Sequence, residues 1–210
     1  VSEVLEQLKN GIRKFQTEVY PDKIDAYRIA ATTPQRPHTL IVTCADSRID
    51  IETITSSEPG EIFVTRNVGN MVPAYGEMLG GVSAVIEYAV EALGVQHAVV
   101  CGHSDCGAMK GLLAPDGLEK MPTVKSWLRN AAAALMVTQS LKSEEDGPKK
   151  VLHSLTEQNV LLQLNHLKTH PSVAGAVAKG KLTVSGWVYD IEHGEVKIFE
   201  EAANKFLPVR

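Results

Sequence analysis

Two short segments concentrate side chains that bind metals and manage protons: Cys44-Ala45-Asp46-Ser47-Arg48 and Gly102-His103-Ser104-Asp105-Cys106-Gly107. Cys44, His103 and Cys106 offer two sulfurs and one imidazole nitrogen, a donor set that suits Zn²⁺ at about 2.0–2.3 Å in a tetrahedron. Three protein donors leave a fourth position free. Structural zinc sites close with four ligands, whereas catalytic ones keep that opening for water. Asp46 follows Cys44 by two residues and can reach such a water, and Arg48, two further on, can grip the carboxylate with its fork of donors. Arg48 would thereby hold Asp46 ionised and aimed. The competing reading makes Asp46 the cap of a following helix and Arg48 a surface charge. A lone buried cysteine is an ordinary small hydrophobe. Three donors on two separate loops describe a site.

Elements ahead of these segments must place them. Thr39-Leu40-Ile41-Val42-Thr43 is a short, unbroken, β-branched run, which reads as a strand buried on both faces and ending at Cys44. Glu61-Ile62-Phe63-Val64-Thr65 repeats the pattern after a Pro59-Gly60 turn, and Ala98-Val99-Val100-Cys101 repeats it after a helical stretch over 81–93. A further strand is predicted over 182–189, with a hairpin at Glu192-His193-Gly194 leading into Val196-Lys197-Ile198-Phe199. Alternating strands and helices predict an α/β fold, a central, mostly parallel β-sheet with flanking helices. Both chemical segments then fall just beyond carboxyl ends of strands, where such sheets place their sites. Helices are also predicted over 124–141 and 151–169, separated by the charged, solvated loop 142–148. The first residues carry two helical patterns broken at Tyr20-Pro21, which reads as an N-terminal helical arm. The whole chain, 1–210, is expected to be a single domain, with the arm at 1–33 and the catalytic α/β core at 34–210.

The 210 residues are 44% hydrophobic, enough for one sizeable core. A net charge of −4 with scattered Lys and Arg excludes a basic field for phosphate backbones, so no nucleic-acid partner is expected. No apolar run approaches the roughly 18 residues that span a bilayer, so no membrane partner is expected either. The expected location is cytoplasmic, with a removed targeting peptide left open. Three cysteines are too few for a disulfide framework in such a chain and point to metal or catalysis. Cys101 reads as structural. His38, His97, His153, His166, His170 and His193 have no partner at metal spacing and read as solvated surface groups. Asp105 is open between tuning the field at the metal and facing solvent.

The two segments, in this order and each after a buried strand, resemble the motifs of the β-class carbonic anhydrases. The likeness runs along nearly the whole chain, through Glu58-Pro59-Gly60-Glu61, Arg66-Asn67-Val68-Gly69-Asn70, Ile86-Glu87-Tyr88-Ala89-Val90 and Gly186-Trp187-Val188-Tyr189-Asp190. It implies one Zn²⁺ per subunit on Cys44, His103 and Cys106, and reversible hydration of CO₂ to bicarbonate by a zinc-bound hydroxide that Asp46 and Arg48 serve. It further implies that Gln35 donates an amide hydrogen bond to substrate, that Phe63, Val68 and Tyr88 line the pocket, and that Gly107 presents a backbone N–H. In the family, part of this lining comes from a neighbouring subunit, so a homodimer or tetramer is expected. Without the resemblance, Phe63 and Val68 are core residues at strand spacing. Some members close the zinc site with the Asp and carry a bicarbonate regulatory pocket that uses a Trp three residues before the first Cys. Here that position is Ile41, so the resemblance points to the form with zinc-bound water.

Charge counting adds an expectation of its own. Two thiolates neutralise Zn²⁺, so a bound water should be less acidic than one held by three neutral imidazoles, and CO₂ hydration should strengthen as pH rises. Two alternatives stay in view. One is hydrolysis of carbon disulfide or carbonyl sulfide on the same scaffold. The other is a non-catalytic zinc or redox module in which Cys44 and Cys106 pair.

Overall fold

A computed structural model describes residues 2–77 and 79–209. The N-terminal residues form α1 (Ser2–Lys14), a wide π-turn at Phe15–Val19, α2 (Tyr20–Asp22) and α3 (Ile24–Thr32). The predicted break at Tyr20-Pro21 falls instead at Lys23, which leaves helical angles (φ −113°, ψ 17°). Pro21 stands in the first turn of α2, where a missing N–H is tolerated, and the wide turn before it lets the Tyr20 N–H reach the Phe15 carbonyl. None of residues 3–36 is buried, and Val4, Leu5, Leu8 and Ile12 of α1 are each more than half exposed.

Six strands form one sheet in the order β2-β1-β3-β4-β5-β6. β1 (Thr39–Cys44), β2 (Ile62–Asn67), β3 (His97–His103) and β4 (Thr183–Asp190) are parallel, and β5 (Glu195–Glu200) and β6 (Lys205–Pro208) extend the ladder antiparallel. The short β6, which the sequence reading misses, carries a proline and is tolerated because it lies on the edge. The helices after the arm are α4 (Ile51–Thr55), α5 (Gly81–Glu87), α6 (Gly107–Leu113), α7 (Pro122–Trp127), α8 (Ala132–Leu141), α9 (Pro148–Thr169) and α10 (Pro171–Ala178). The single helix expected over 124–141 is interrupted by a 3₁₀ turn at Leu128–Ala131. Helix α10 was also unforeseen: His170 turns extended (φ −68°, ψ 126°), and Pro171 opens a new helix in the first-turn position that suits it.

Strand β1 is buried along its whole length because both faces of the sheet are covered there. Leu40 and Val42 pack with Ala98, Val100 and Val188 against Ile86, Ala89 and the Val160, Leu164 and Leu167 face of α9. Ile41 turns the other way, with Val99, Cys101 and Ile51 of α4. Helix α9 approaches the sheet closely over two glycines. A Cβ on Gly102 would lie 2.7 Å from Val160 Cγ2, and one on Gly186 2.8 Å from Val160 Cγ1, so any side chain there would lift the helix. Two histidines secure its far end. His166 Nδ1 donates to the Val72 carbonyl at 2.8 Å and His170 Nε2 to that of Pro73 at 3.1 Å. The solvated reading of His170 is therefore corrected: it is only 2% exposed, and burial pushes its pKa down. Strand order reverses at β1, which has β2 on one side and β3 on the other. Loops leaving the carboxyl ends of β1 and β3 consequently diverge around a crevice.

Candidate metal centre

Cys44 ends β1 and His103 ends the neighbouring β3, so the sheet itself delivers two donors to the crevice. The third comes from the turn beyond. The Ser104 N–H bonds the Tyr189 carbonyl at 2.8 Å, Asp105 adopts a left-handed conformation (φ 59°), and Cys106 then opens α6. Both sulfurs and a ring nitrogen of His103 lie within 4.8 Å of one another, all buried. Tetrahedral donors with bonds of about 2.0–2.3 Å would stand roughly 3.3–3.8 Å apart.

His103 is prepared for this task by its own turn. Its Nδ1 is 2.8 Å from the Ser104 carbonyl, which can only accept, so Nδ1 carries the hydrogen and Nε2 presents its lone pair. That buried Nε2 has no hydrogen-bond partner. An orphaned buried acceptor is costly, and coordination to a cation would satisfy it. The Cys106 thiol draws the Cys44 thiol well below the ordinary thiol range, helped by the Gly69 N–H, which bonds the sulfur at 3.4 Å. The same pairing, with burial, pushes Cys106 up, against backbone donors at Ala108 and Met109. The set therefore fits zinc in identity, tautomer and spacing. Among the described residues it is the one cluster of this kind. Cys101 lies apart in the apolar layer around Ile41, and burial pushes its thiol up to about 12, the state of an inert core residue.

Asp46 and Arg48 form a forked pair beside these donors. Arg48 Nε donates to Asp46 Oδ1 at 2.9 Å and Nη2 to Oδ2 at 2.8 Å, while the Arg48 backbone N–H adds a 3.0 Å bond to Oδ1. Asp46 Oδ2 stands 3.8 Å from His103 Nε2. The helix-cap alternative fails, because Asp50 caps α4 by accepting the Thr53 N–H. Arg48 holds the Asp46 carboxyl well below the usual carboxylate range, and Asp46 with Asp105 raises Arg48 in return. Asp105, left open by the sequence, is the second anchor of Arg48: it accepts Nη1 at 3.0 Å, and its other oxygen pairs with Lys110. Lys110 and then Arg48 lower its pKa.

The five expected lining residues divide into two groups. Val68 and Gly107 adjoin the donors, the first next to Gly69 with its carbonyl fixed by Trp127 Nε1 at 2.8 Å, the second directly after Cys106 with open space where a Cβ would stand. Gln35, Phe63 and Tyr88 stand elsewhere. Phe63 pairs with Leu40, four residues up β1 from Cys44, or about 13 Å along a strand. The Tyr88 ring is 6.0 Å from that of Phe63, and Gln35 precedes β1, lining a hollow with Ile29, Pro59 and Glu61. Within one chain these three are not brought to the donors. Gly69 is the contributor that sequence reasoning missed. It lies within Arg66-Asn67-Val68-Gly69-Asn70, a segment of the family likeness that carried no assigned role; its φ is +80° and a Cβ there would meet Ala108 Cβ at 2.9 Å.

Comparison with known proteins bears on the same residues. A family described as carbonic anhydrase matches 39–196, from β1 into β5. The carbonic anhydrase of Pseudomonas aeruginosa is 43% identical over 198 residues, covering 94% of this chain and 89% of that protein. Among solved structures, the β-carbonic anhydrase CcaA superimposes with a TM-score of 0.93 at 36% identity, over 99% of this chain and 93% of that one. One of two tetrameric β-carbonic anhydrases from Sordaria macrospora superimposes with a TM-score of 0.68 at 28% identity, over 94% of each chain. Because the likeness takes in both donor loops, the strands that carry them and nearly all the remaining fold, the chain belongs to the β-carbonic anhydrase family.

Proposed function

We propose that this chain catalyses the reversible hydration of CO₂ to bicarbonate and a proton, with one Zn²⁺ held by Cys44, His103 and Cys106. The observation that carries this reading is the convergence of two sulfurs and an unpartnered imidazole nitrogen beside a forked Asp46–Arg48 pair. When bound, zinc acidifies a water and supplies the nucleophile. Asp46, ionised and held by Arg48 through both oxygens, would accept a hydrogen bond from that nucleophile and orient it toward carbon. Arg48 is itself fixed by Asp105. The engagement of Asp46 with Arg48 supports the open form of the site, as does Ile41, which is packed in apolar surroundings where regulated members carry Trp. Val68 and Gly107 contribute lining.

Stopped-flow CO₂ hydration by the zinc-loaded protein tests this directly. The rate is expected to climb from about pH 6 to 9, because two thiolates leave the nucleophile only weakly acidified. Asp46, held low by Arg48, stays ionised throughout, so the climb is not its titration. A flat profile would remove the charge argument, and an inactive protein with full zinc occupancy would remove the function.

Gln35, Phe63 and Tyr88 are proposed to complete the site of a neighbouring subunit in a homodimer or tetramer. Their distance from the donors of their own chain supports this, as does the apolar stripe that α1 leaves exposed. On this reading 34–210 forms one catalytic core and 1–33 an arm that packs on the neighbour. Mixing Cys106→Ser subunits with Gln35→Ala subunits should then restore activity above either parent, since a mixed dimer contains one site with neither defect. Mixtures that exchange subunits and stay at the mean of the parents would refute sharing. No described helix is long and apolar enough to cross a membrane, and a cytoplasmic location is proposed from composition alone.

A further inference from the structure

Helix α9 carries two amides, Asn159 and Gln163, on one face and almost wholly buried, at 1% and 0% exposure. Neither belongs to the donor set, and buried side-chain amides persist only where each end is satisfied. Their polarity can be assigned from one obligate donor. The Val72 backbone N–H lies 2.8 Å from Gln163 Oε1, so the other end of Gln163 is Nε2, which donates to the Asn130 carbonyl at 3.0 Å and to Asn159 Oδ1 at 2.9 Å. That leaves Asn159 Nδ2 as a donor, and it bonds the Gly69 carbonyl at 3.1 Å. Gly69 is also the residue whose N–H bonds the Cys44 sulfur at 3.4 Å. Its left-handed backbone and its close approach to Ala108 leave it little other freedom. Helix α9 can hold the loop to this tolerance because Val160, next to Asn159, is seated on Gly102 and Gly186.

We propose that Asn159 is a positioning residue for the metal centre, which fixes Gly69 so that its N–H withdraws charge from the Cys44 sulfur. Hydrogen bonds to a coordinating group set its basicity as a ligand, so the effect of Asn159 is read at the metal, three links away. A sulfur relieved of that bond becomes a stronger electron donor. Gln163 has the supporting task of keeping Asn159 oriented.

This inference rests on the reading of Cys44 as a metal ligand, and the experiment separates the two. The full-length protein is loaded with Co²⁺, and its sulfur-to-cobalt charge-transfer band in the near ultraviolet is recorded beside zinc affinity from chelator competition. A wild-type protein that binds Co²⁺ without such a band would overturn the ligand reading. With the band present, Asn159→Leu is expected to shift it to longer wavelength and, because the more basic sulfur holds its proton more tightly and the Gly69 loop is no longer fixed, to weaken zinc binding at neutral pH about tenfold to a hundredfold. Asn159→Ser, smaller and still polar, is the second variant should the first not fold. Val173→Ala, in the core of α10 and outside this network, controls for lost stability and should leave the band in place. An unmoved band in the folded Asn159 variant, or an equal shift in Val173→Ala, would overturn the proposal.

Discussion

Cys106→Ser is expected to abolish zinc retention and lower CO₂ hydration by about 10³-fold or more. A metal that supplies the nucleophile is worth several kcal/mol at the transition state, and about 4 kcal/mol corresponds to three powers of ten. Serine at this position offers a neutral hydroxyl, a poor ligand in place of a thiolate, and leaves only one donor from each strand end. The fold should survive the change. The side chain is small, and the backbone donors at Ala108 and Met109 that serve the sulfur can serve an oxygen. Zinc stoichiometry by elemental analysis, stopped-flow hydration and circular dichroism together check this. Stoichiometric zinc with undiminished activity in the variant would mean that the ion sits elsewhere.

Asp46→Asn is expected to keep zinc and lose about 10²–10³ in kcat, the usual cost of removing a preorganised group that acts on the reacting oxygen. The geometry explains the size. Two guanidinium nitrogens and one backbone N–H all point at the two oxygens of Asp46. An asparagine must turn its NH₂ toward one of those donors, so it loses the fork and can no longer present a charged acceptor to the nucleophile. Arg48→Lys should be nearly as damaging as Arg48→Ala. A lysine ammonium cannot fork onto Asp46 while also spanning to Asp105, which Arg48 does with its remaining nitrogen. Activity within a few-fold of wild type in Asp46→Asn, at equal zinc content, would assign the pair to surface electrostatics.

Much of the fold was legible because its signals are local. Buried parallel strands write themselves as unbroken β-branched runs, and Thr39–Cys44 carries one that ends on the first of the three candidate donors. What escaped lacked such signals. The turn at Leu128–Ala131 interrupts an alanine-rich stretch of continuous helical character, and β6 is a four-residue edge strand with a proline. His170 looked like a surface residue because a lone histidine shows no sign of the carbonyl, 97 positions earlier, that pays for its burial.

The metal centre divides along the same line. Sequence alone determined the donor types, the loops that bear them and the pairing of Asp46 with Arg48, because a strand end sets a residue's place and a spacing of two sets its neighbour. Tertiary structure alone decided the environment of those groups: Asp105 on Arg48 across 57 positions, Gly69 on Cys44 across 25, Asn159 on Gly69 across 90, and Gln35, Phe63 and Tyr88 at a distance from their own site. Hydrogen bonds between buried amides and distant backbone leave no periodicity in a chain. They exist only once α9 is seated on Gly102 and Gly186.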